Sequence, residues 1–315
     1  MGIGAAVRIA VSVTTVLCLL RASHAQDLAP RAYVITPIHS NAVTVTSSFF
    51  TGNLLFDGTV PITGASARAS VTAFNFTHSL GFFGRTANFL AVLPYGVGNY
   101  QGKVIGAEAH AYRSGLLDSA WRFSVNLKGG PAMDVRDFGK WKQTTLLGIS
   151  LKVVAPTGQY DPTKLINYGA NRWAFKPESG LSHRWGHWVL DSYGAVWFFT
   201  ANREFFSHNR YNPGVNSQTQ SPIGAFEGHF SYDIKPRFWV SLDGNFWFGG
   251  VTSLNGKENP LTQNKNSRLG GTVSVPLSKH HSLKFSYNNG AYIRYGGNYQ
   301  NVSLAWQYSW LGRPN

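Results

Sequence analysis

The sequence predicts an all-β fold, a transmembrane antiparallel up-and-down β-barrel of about 12 strands. Three observations predict it. First, charged residues make up only 13% of the 315-residue chain and aromatic residues 14%, whereas roughly a quarter of an ordinary soluble domain is charged. Mean hydropathy is nonetheless near neutral. A soluble enzyme carries more charge and a helical membrane protein is far more apolar. A wall whose alternate residues face lipid and water averages to this composition. Second, past residue 40 the dominant period is two, the strand period. Third, aromatic clusters bracket two of these segments about ten residues apart, the length of a tilted strand crossing the hydrocarbon.

The N-terminal residues form a separate unit. Arg8 supplies a positive start, residues 9–20 are an apolar run, and Ser23-His24-Ala25 places small residues at the two positions a signal peptidase reads. The run is too short to cross a bilayer, so residues 1–25 are expected to be a cleaved signal peptide. The one cysteine, Cys18, lies inside it, and Leu17 is too bulky for a lipidation box. The mature chain therefore has no disulfide, thiol nucleophile or cysteine metal site. No later run approaches the roughly eighteen apolar residues of a spanning helix. Residues 26–40 are expected to be a periplasmic lead-in and 41–315 a single barrel in the bacterial outer membrane.

The strand signal is clearest near the C-terminus. Val302, Leu304, Trp306, Tyr308 and Trp310 alternate with Asn301, Ser303, Ala305, Gln307 and Ser309. Trp121, Phe123, Val125 and Leu127 alternate with Arg122, Ser124, Asn126 and Lys128; Leu147, Ile149, Leu151 and Val153 alternate with Gly148, Ser150 and Lys152. Charges fall on the face opposite the apolar one, which is the pattern of lipid outside and lumen inside. In 237–248 the aromatics are Phe238 and Trp239, then Phe246, Trp247 and Phe248; in 188–199 they are Trp188, then Trp197, Phe198 and Phe199. These read as the two aromatic girdles. Short turns are expected at 184–186, 233–236 and 278–281. Long polar loops are expected at 156–171, 200–223, 249–267 and 289–300, all on the external side when counted back from a last strand running to the periplasm. Candidates at 42–51, 69–80, 87–95 and 104–113 bring the count to thirteen, one too many for an even ring. Twelve is the expected number, with one candidate false or lying inside the barrel.

Some of these stretches resemble a known family. Val154-Ala155-Pro156-Thr157-Gly158-Gln159-Tyr160-Asp161, then 165–173 and 175–180, and the turn Asn126-Leu127-Lys128-Gly129-Gly130-Pro131-Ala132-Met133 are similar to the outer-membrane family named for the meta-pathway of phenol degradation. The resemblance covers most of the mature chain and is densest in 118–184. It implies passage of small hydrophobic or aromatic compounds through the barrel. The chain departs from the usual aromatic C-terminus of such barrels, because Trp310 is followed by Leu-Gly-Arg-Pro-Asn.

Catalytic chemistry is thinly supported. No nucleophile elbow, phosphate loop or paired-carboxylate pattern appears. His183 and His187, and His280 and His281, sit in turns without an acidic ligand set, so no metal site and no cofactor are expected. Glu108 with His110, and Glu227 with His229, are alternate-residue pairs expected to share the lumen face, as a proton relay or as pore-lining groups. The formal charge of +14 falls to +12 when Arg8 and Arg21 leave with the signal peptide. Lumen cations and loops facing anionic lipopolysaccharide account for it without nucleic acid. The pore-lining candidates are Arg122, Asn126, Lys128, Lys152, Lys176, Glu178, Glu227, His229 and Arg268; the loop candidates are Tyr160, Asp161, Asn171 and Arg172. The lumen charges either leave an open pore or pair and fill it. Three functions follow: a solute channel, a structural or adhesive barrel with a filled interior, and a barrel enzyme acting on lipid or peptide. The channel is preferred because the catalytic signatures are missing. Its expected partners are a small solute, outer-membrane lipid and lipopolysaccharide, and the barrel assembly machinery.

Overall fold

The computed structural model describes residues 30–55, 62–104, 106–209 and 212–312. The expected signal peptide lies outside the described residues. The strands are β1 (Ser40–Leu55), β2 (Ile62–Phe82), β3 (Arg85–Val104), β4 (Ala107–Leu116), β5 (Ala120–Lys128), β6 (Thr145–Val154), β7 (Ala174–Trp185), β8 (Trp188–Phe199), β9 (Gln218–Gln220), β10 (Ile223–Lys235), β11 (Phe238–Gly249), β12 (Thr252–Leu254), β13 (Lys257–Asn259), β14 (Asn264–Pro276), β15 (His281–Ile293) and β16 (Gly296–Leu311). One short helix, α1 (Val135–Lys140), lies between β5 and β6. All strands but β9, β12 and β13 form one antiparallel wall, and β16 pairs with β1 to close it. The rim where β1 begins and β16 ends is called proximal here; the opposite rim, with the longest connections, is distal.

The thirteenth candidate strand resolves into half of another. β4 lies on the distal part of β3, from Val104↔Ala107 to Tyr95↔Leu116, and β5 on its proximal part, from Val92↔Ala120 to Ala87↔Val125. Together they are one stave interrupted at 117–119, and the ring has 12 strands. The break sits opposite Pro94, which has no N–H to give the ladder. Pro94 contributes only its carbonyl, which accepts from the Leu117 N–H at 2.9 Å. Asp118 turns its carboxylate away from the wall and accepts the N–H groups of Gly158 at 2.9 Å and Ala170 at 2.7 Å. The break in the stave is therefore the anchor of the loop at 155–173.

Side-chain alternation follows the sequence. Leu242, Leu304, Phe285 and Leu269 are exposed on the outer wall, while Ser241, Asp243, Asn245 and Thr272 are buried inside. The girdles need correction. Phe198, Phe246 and Phe248 are exposed outside, but Trp197 and Trp247 are 0% and 1% exposed and point into the barrel. Trp239 also turns inward, beneath the Arg31 guanidinium at 4.4 Å. Strand geometry sends neighbouring residues to opposite faces, so a run of three aromatics cannot lie wholly in one girdle. At the proximal rim Trp188 stacks on Phe230 with centroids 4.6 Å apart, and Tyr308 stacks on Trp310 at 5.5 Å.

The expected turns at 184–186, 233–236 and 278–281 are short, and the connections 155–173, 200–222 and 250–263 are long. The last two pair through β9, β12 and β13 into a small sheet of their own. The long loop expected at 289–300 is absent: β15 runs to Ile293 and β16 starts at Gly296, leaving a tight turn. Its asparagines and glycines are strand residues beyond the apolar belt, where polar outer faces meet water.

The lead-in also departs from expectation. Within the described part, 30–39, the backbone and side chains contact inward residues of β5, β6, β7, β8, β10 and β11. Arg31 reaches β8 and β10, Tyr33 reaches β6 and β7, and the Tyr33 carbonyl accepts from Asn126 on β5. Leu242→Arg, with an arginine on the lipid face near mid-belt, is expected to lower stability in bilayers by about 2–4 kcal/mol, measured by urea titration in lipid vesicles. An unchanged midpoint would mean that Leu242 does not face lipid.

Candidate functional site

Residues paired across an antiparallel ladder share a face, so the registers arrange the lumen in rows. One row holds Arg122↔Lys152 and Lys152↔Lys176, three cations abreast on β5, β6 and β7. Like charges side by side destabilise a sheet, and two acids offset them. Glu178 meets Arg122 at 3.2 Å and Lys176 at 2.7 Å, and Lys176 also meets Glu227 on β10 at 3.0 Å. The chain continues from Glu227 to His229 at 3.8 Å and from His229 to Asp243 on β11 at 2.9 Å. Asp243 accepts further from Ser241 at 2.8 Å and Thr272 at 2.7 Å. The side chains of Lys176, Glu178, Glu227, His229 and Asp243 are at most 7% exposed. Such charges are tolerated in a low-dielectric interior only when paired and hydrogen-bonded.

The row proximal to this belongs to the N-terminal segment. Asn126↔Gly148, Gly148↔Gly180 and Gly180↔Tyr193 are neighbours across β5 to β8. The two glycines leave a slot, and the Tyr33 ring fills it. A Cβ at Gly148 would lie 2.3 Å from that ring and one at Gly180 2.1 Å. Tyr193 meets the ring edge-on, with centroids 5.3 Å apart, and the Arg122 guanidinium covers it at 4.7 Å. The Tyr33 hydroxyl donates to Glu178 at 2.9 Å and lies 3.1 Å from Ser150 Oγ. Asn126 donates to the Tyr33 carbonyl at 3.3 Å, and the Ala32 N–H donates to Tyr193 Oη at 3.0 Å. Nearer the proximal rim, Arg31 pairs with Asp233 at 2.7 Å, donates to Ser231 at 3.0 Å, and gives its backbone N–H to Asp191 at 3.1 Å. Ser182, Asp191 and Ser231 are 0% exposed, so this half of the lumen is filled.

Most pore-lining candidates meet in this network. Arg122, Asn126, Lys152, Lys176, Glu178, Glu227 and His229 all face the lumen, and Lys152 Nζ lies 5.8 Å from the Trp197 ring. Four positions depart from expectation. Lys128 is exposed at the proximal rim, because a bulge after Asn126 sets it opposite the outward Leu147. The extra residue shifts the alternation by one. Glu108 and His110, 4.0 Å apart and more than two-thirds exposed, lie at the distal end of β4 rather than in the lumen. Arg268 faces inward but is 0% exposed. It spends its guanidinium on the carbonyls of Gly297 and Tyr299 and on Asn288 Oδ1, at 3.0–3.1 Å.

Of the loop candidates, Tyr160, Asn171 and Arg172 tie the loop at 155–173 to the one at 200–222, while Asp161 bonds within its own loop. The Tyr160 hydroxyl donates to the Glu204 carbonyl and accepts from Asn202, both at 2.9 Å. Asn171, at φ +52°, donates to Asn202 Oδ1 at 3.0 Å. Arg172 bonds Gln220 and covers the Phe199 ring at 4.4 Å. Lys164 and Thr163 hold the Asp161 carboxyl down to about 2. The loop also folds inward: Tyr168 is 7% exposed against Gly96 and Gly98 on the inner face of β3.

Sequence reasoning missed Arg31, Tyr33, Asp191, Tyr193, Asp233 and Asp243. A readable signal existed for Tyr33: glycines stand at inward positions of two adjacent strands, where the alternation calls for side chains. The buried histidine does not form a hydrolytic triad. Ser241 donates to Asp243 rather than approaching His229, whereas a triad needs its hydroxyl on the imidazole.

Lys176→Met leaves Glu178 and Glu227 without their shared cation. The expected loss is roughly 3–5 kcal/mol, read from urea unfolding in vesicles. Lys176→Met combined with Glu227→Gln is expected to recover part of it. Additive losses would mean that the two residues are not coupled.

Known proteins share this architecture. The crystal structure of the COG4313 outer membrane channel from Pseudomonas putida F1 superposes with a TM-score of 0.75 at 15% identity, over 90% of this chain and 100% of that one. The transport unit of the autotransporter AIDA-I from Escherichia coli superposes at 0.54 with 10% identity, over 92% and 96%. No curated protein matches the chain by sequence. The family model described as "Putative MetA-pathway of phenol degradation" matches residues 44–298, and the chain belongs to that family.

Proposed function

We propose that the protein is an outer-membrane channel for small hydrophobic or aromatic solutes, and that its own N-terminal segment closes the periplasmic half of the lumen. The observation that carries the reading is the Tyr33 slot. Two facing glycines accommodate a ring supplied by a segment that belongs to no stave of the wall. A purely structural barrel could fill the same space with larger wall side chains, without threading a separate segment. The solute class is supported by the family alone. Beyond the Tyr33 seat the inner wall holds a buried apolar cluster that includes Trp197 and Trp247, with Phe199 packed against it. Lys152 beside Trp197 suits a solute that also carries an acid group. The channel works by passage rather than by covalent chemistry. His229 is paired with Glu227 and Asp243 in a buried network, and the neighbouring Ser241 hydroxyl is bonded to Asp243 rather than to the imidazole that would have to activate it. A cleaved signal peptide at 1–25 would export the chain, and the barrel assembly machinery would insert it among phospholipid and lipopolysaccharide.

Planar-bilayer conductance tests the reading. The full mature chain is expected to conduct poorly. A chain lacking residues 26–36 is expected to open, and small aromatic acids should block it. A synthetic peptide of residues 26–40, added to the periplasmic side, is expected to close the shortened channel again. Tyr33→Phe removes one hydrogen bond to a carboxylate and is expected to raise open-state occupancy about tenfold. A folded, shortened barrel that stays silent would overturn the channel. Equal conductance with and without the segment would overturn the closure.

A further inference from the structure

The barrel wall separates at one place beyond the lipid belt. β15 and β16 are laddered from His281↔Tyr308 to Asn289↔Gln300 and no further. Yet β15 continues along β14 as far as Ile293↔Asn266, and β16 continues along β1 as far as Gly296↔Leu55. The two strands therefore part before their turn. On the lumen side Arg268 repairs the gap. Its guanidinium caps the carbonyls of Gly297 and Tyr299 and lies 3.7 Å over the Tyr299 ring.

The gap leaves a cavity of ≈ 410 Å³ lined by Thr51, Gly52, Asn53, Asn289, Gly290, Asn298 and Gln300. Thr51↔Gln300, Asn53↔Asn298 and Asn289↔Gln300 are cross-strand pairs. They continue the outward series whose last apolar pairs are Phe49↔Val302 and Tyr287↔Val302. Phe49, Tyr287 and Val302 are 57%, 41% and 37% exposed on the lipid side. The cavity thus opens on the outer wall, just past the distal edge of the belt. Among the described residues, none of the side chains of Thr51, Asn53, Asn289, Asn298 and Gln300 is engaged in a hydrogen bond.

The chemistry of the lining selects a ligand. Four primary amides and a hydroxyl offer paired donors and acceptors and no charge. An ionic ligand would find no counter-charge, and an apolar one would strand five polar groups out of water. A polyhydroxyl ligand matches, because an amide can donate to one hydroxyl while accepting from its neighbour. The volume lies within the range of about 300–1,000 Å³ usual for small-ligand sites. We propose that this cleft binds a neutral saccharide unit, held by Asn53, Asn289, Asn298 and Gln300. The unit is either the sugar of an outer-leaflet glycolipid standing beside the barrel or a free sugar from outside. This site is independent of the lumen and of the closure argued above.

The test uses the mature chain in detergent. Three probes are titrated by calorimetry: lipopolysaccharide with its core sugars, lipopolysaccharide trimmed to lipid A, and the released core oligosaccharide. Asn289→Leu/Asn298→Leu is compared with the natural chain. Thr51→Val/Gln300→Leu serves as a second variant if the first fails to fold, and folding is read by heat-modifiable gel mobility. Loss of two amides is expected to weaken binding of the sugar-bearing probes by about tenfold. Binding of lipid A alone should not change. Binding of the full lipopolysaccharide without the free oligosaccharide assigns the site to a glycolipid, and binding of both assigns it to the sugar itself. Unchanged affinity for both sugar-bearing probes in a folded variant, or no binding of either by the natural chain, overturns the proposal.

Discussion

The ladder between β1 and β16 is the constraint on which the rest depends. It runs without interruption from Ser40↔Leu311 to Leu55↔Gly296 and joins the first strand of the wall to the last. In hydrocarbon an unpaired strand edge leaves backbone N–H and C=O groups with no water to satisfy them, so a spanning sheet must close. Closure then divides the side chains. Every second residue faces lipid and must be apolar, and every other one faces an enclosed volume whose radius twelve strands fix. The low charge content and neutral hydropathy of the chain restate that division.

Enclosure also governs the charges. A lumen of this width, filled by side chains, has a lower effective dielectric than bulk water, so the cation row Arg122, Lys152 and Lys176 could not stand alone. Its acids come from strands far apart in sequence, Glu178 on β7 and Glu227 on β10, and the second is tied through His229 to Asp243 on β11. Wall segments that share no ladder thus become linked across the interior. The same economy appears at the distal rim, where Arg268 caps carbonyls left by the parting of β15 and β16. Arg268 is thus an inward basic residue that braces the backbone.

What was legible in the sequence follows the range of the forces involved. Alternation is local, so the outward series of β11 and β16 could be read directly, as could the inward placement of Arg122, Lys176 and His229. Parity fails where the ladder is irregular. The bulge that turns Lys128 outward and the interruption at 117–119 change it by a residue or split a stave, and neither leaves a local periodic trace. The aromatic runs misled for a related reason: their composition suggested a girdle, while their parity sent Trp197 and Trp247 inside. The expected loop at 289–300 mistook polar strand residues beyond the belt for a connection, since polarity reports exposure to water and not the absence of a ladder.

The N-terminal segment was illegible because nothing in residues 30–39 has a period, and its partners lie far away in the chain. The Tyr33 carbonyl is held by a residue 93 positions on, and its hydroxyl by one 145 positions on. Yet the receiving surface left a mark. Gly148 and Gly180 are paired in register, on the inward face, between Asn126 and Tyr193. Glycine weakens a strand, because it gives up more backbone freedom on folding and has no side chain to pack. Side by side on the inward face, Gly148 and Gly180 leave a slot, and the Tyr33 ring covers it. The cover is a ring on the segment before β1 rather than a pair of larger wall residues. The ladder that closes the wall, β1 on β16, shares no residue with the slot, so closure of the wall and seating of the ring rest on different contacts.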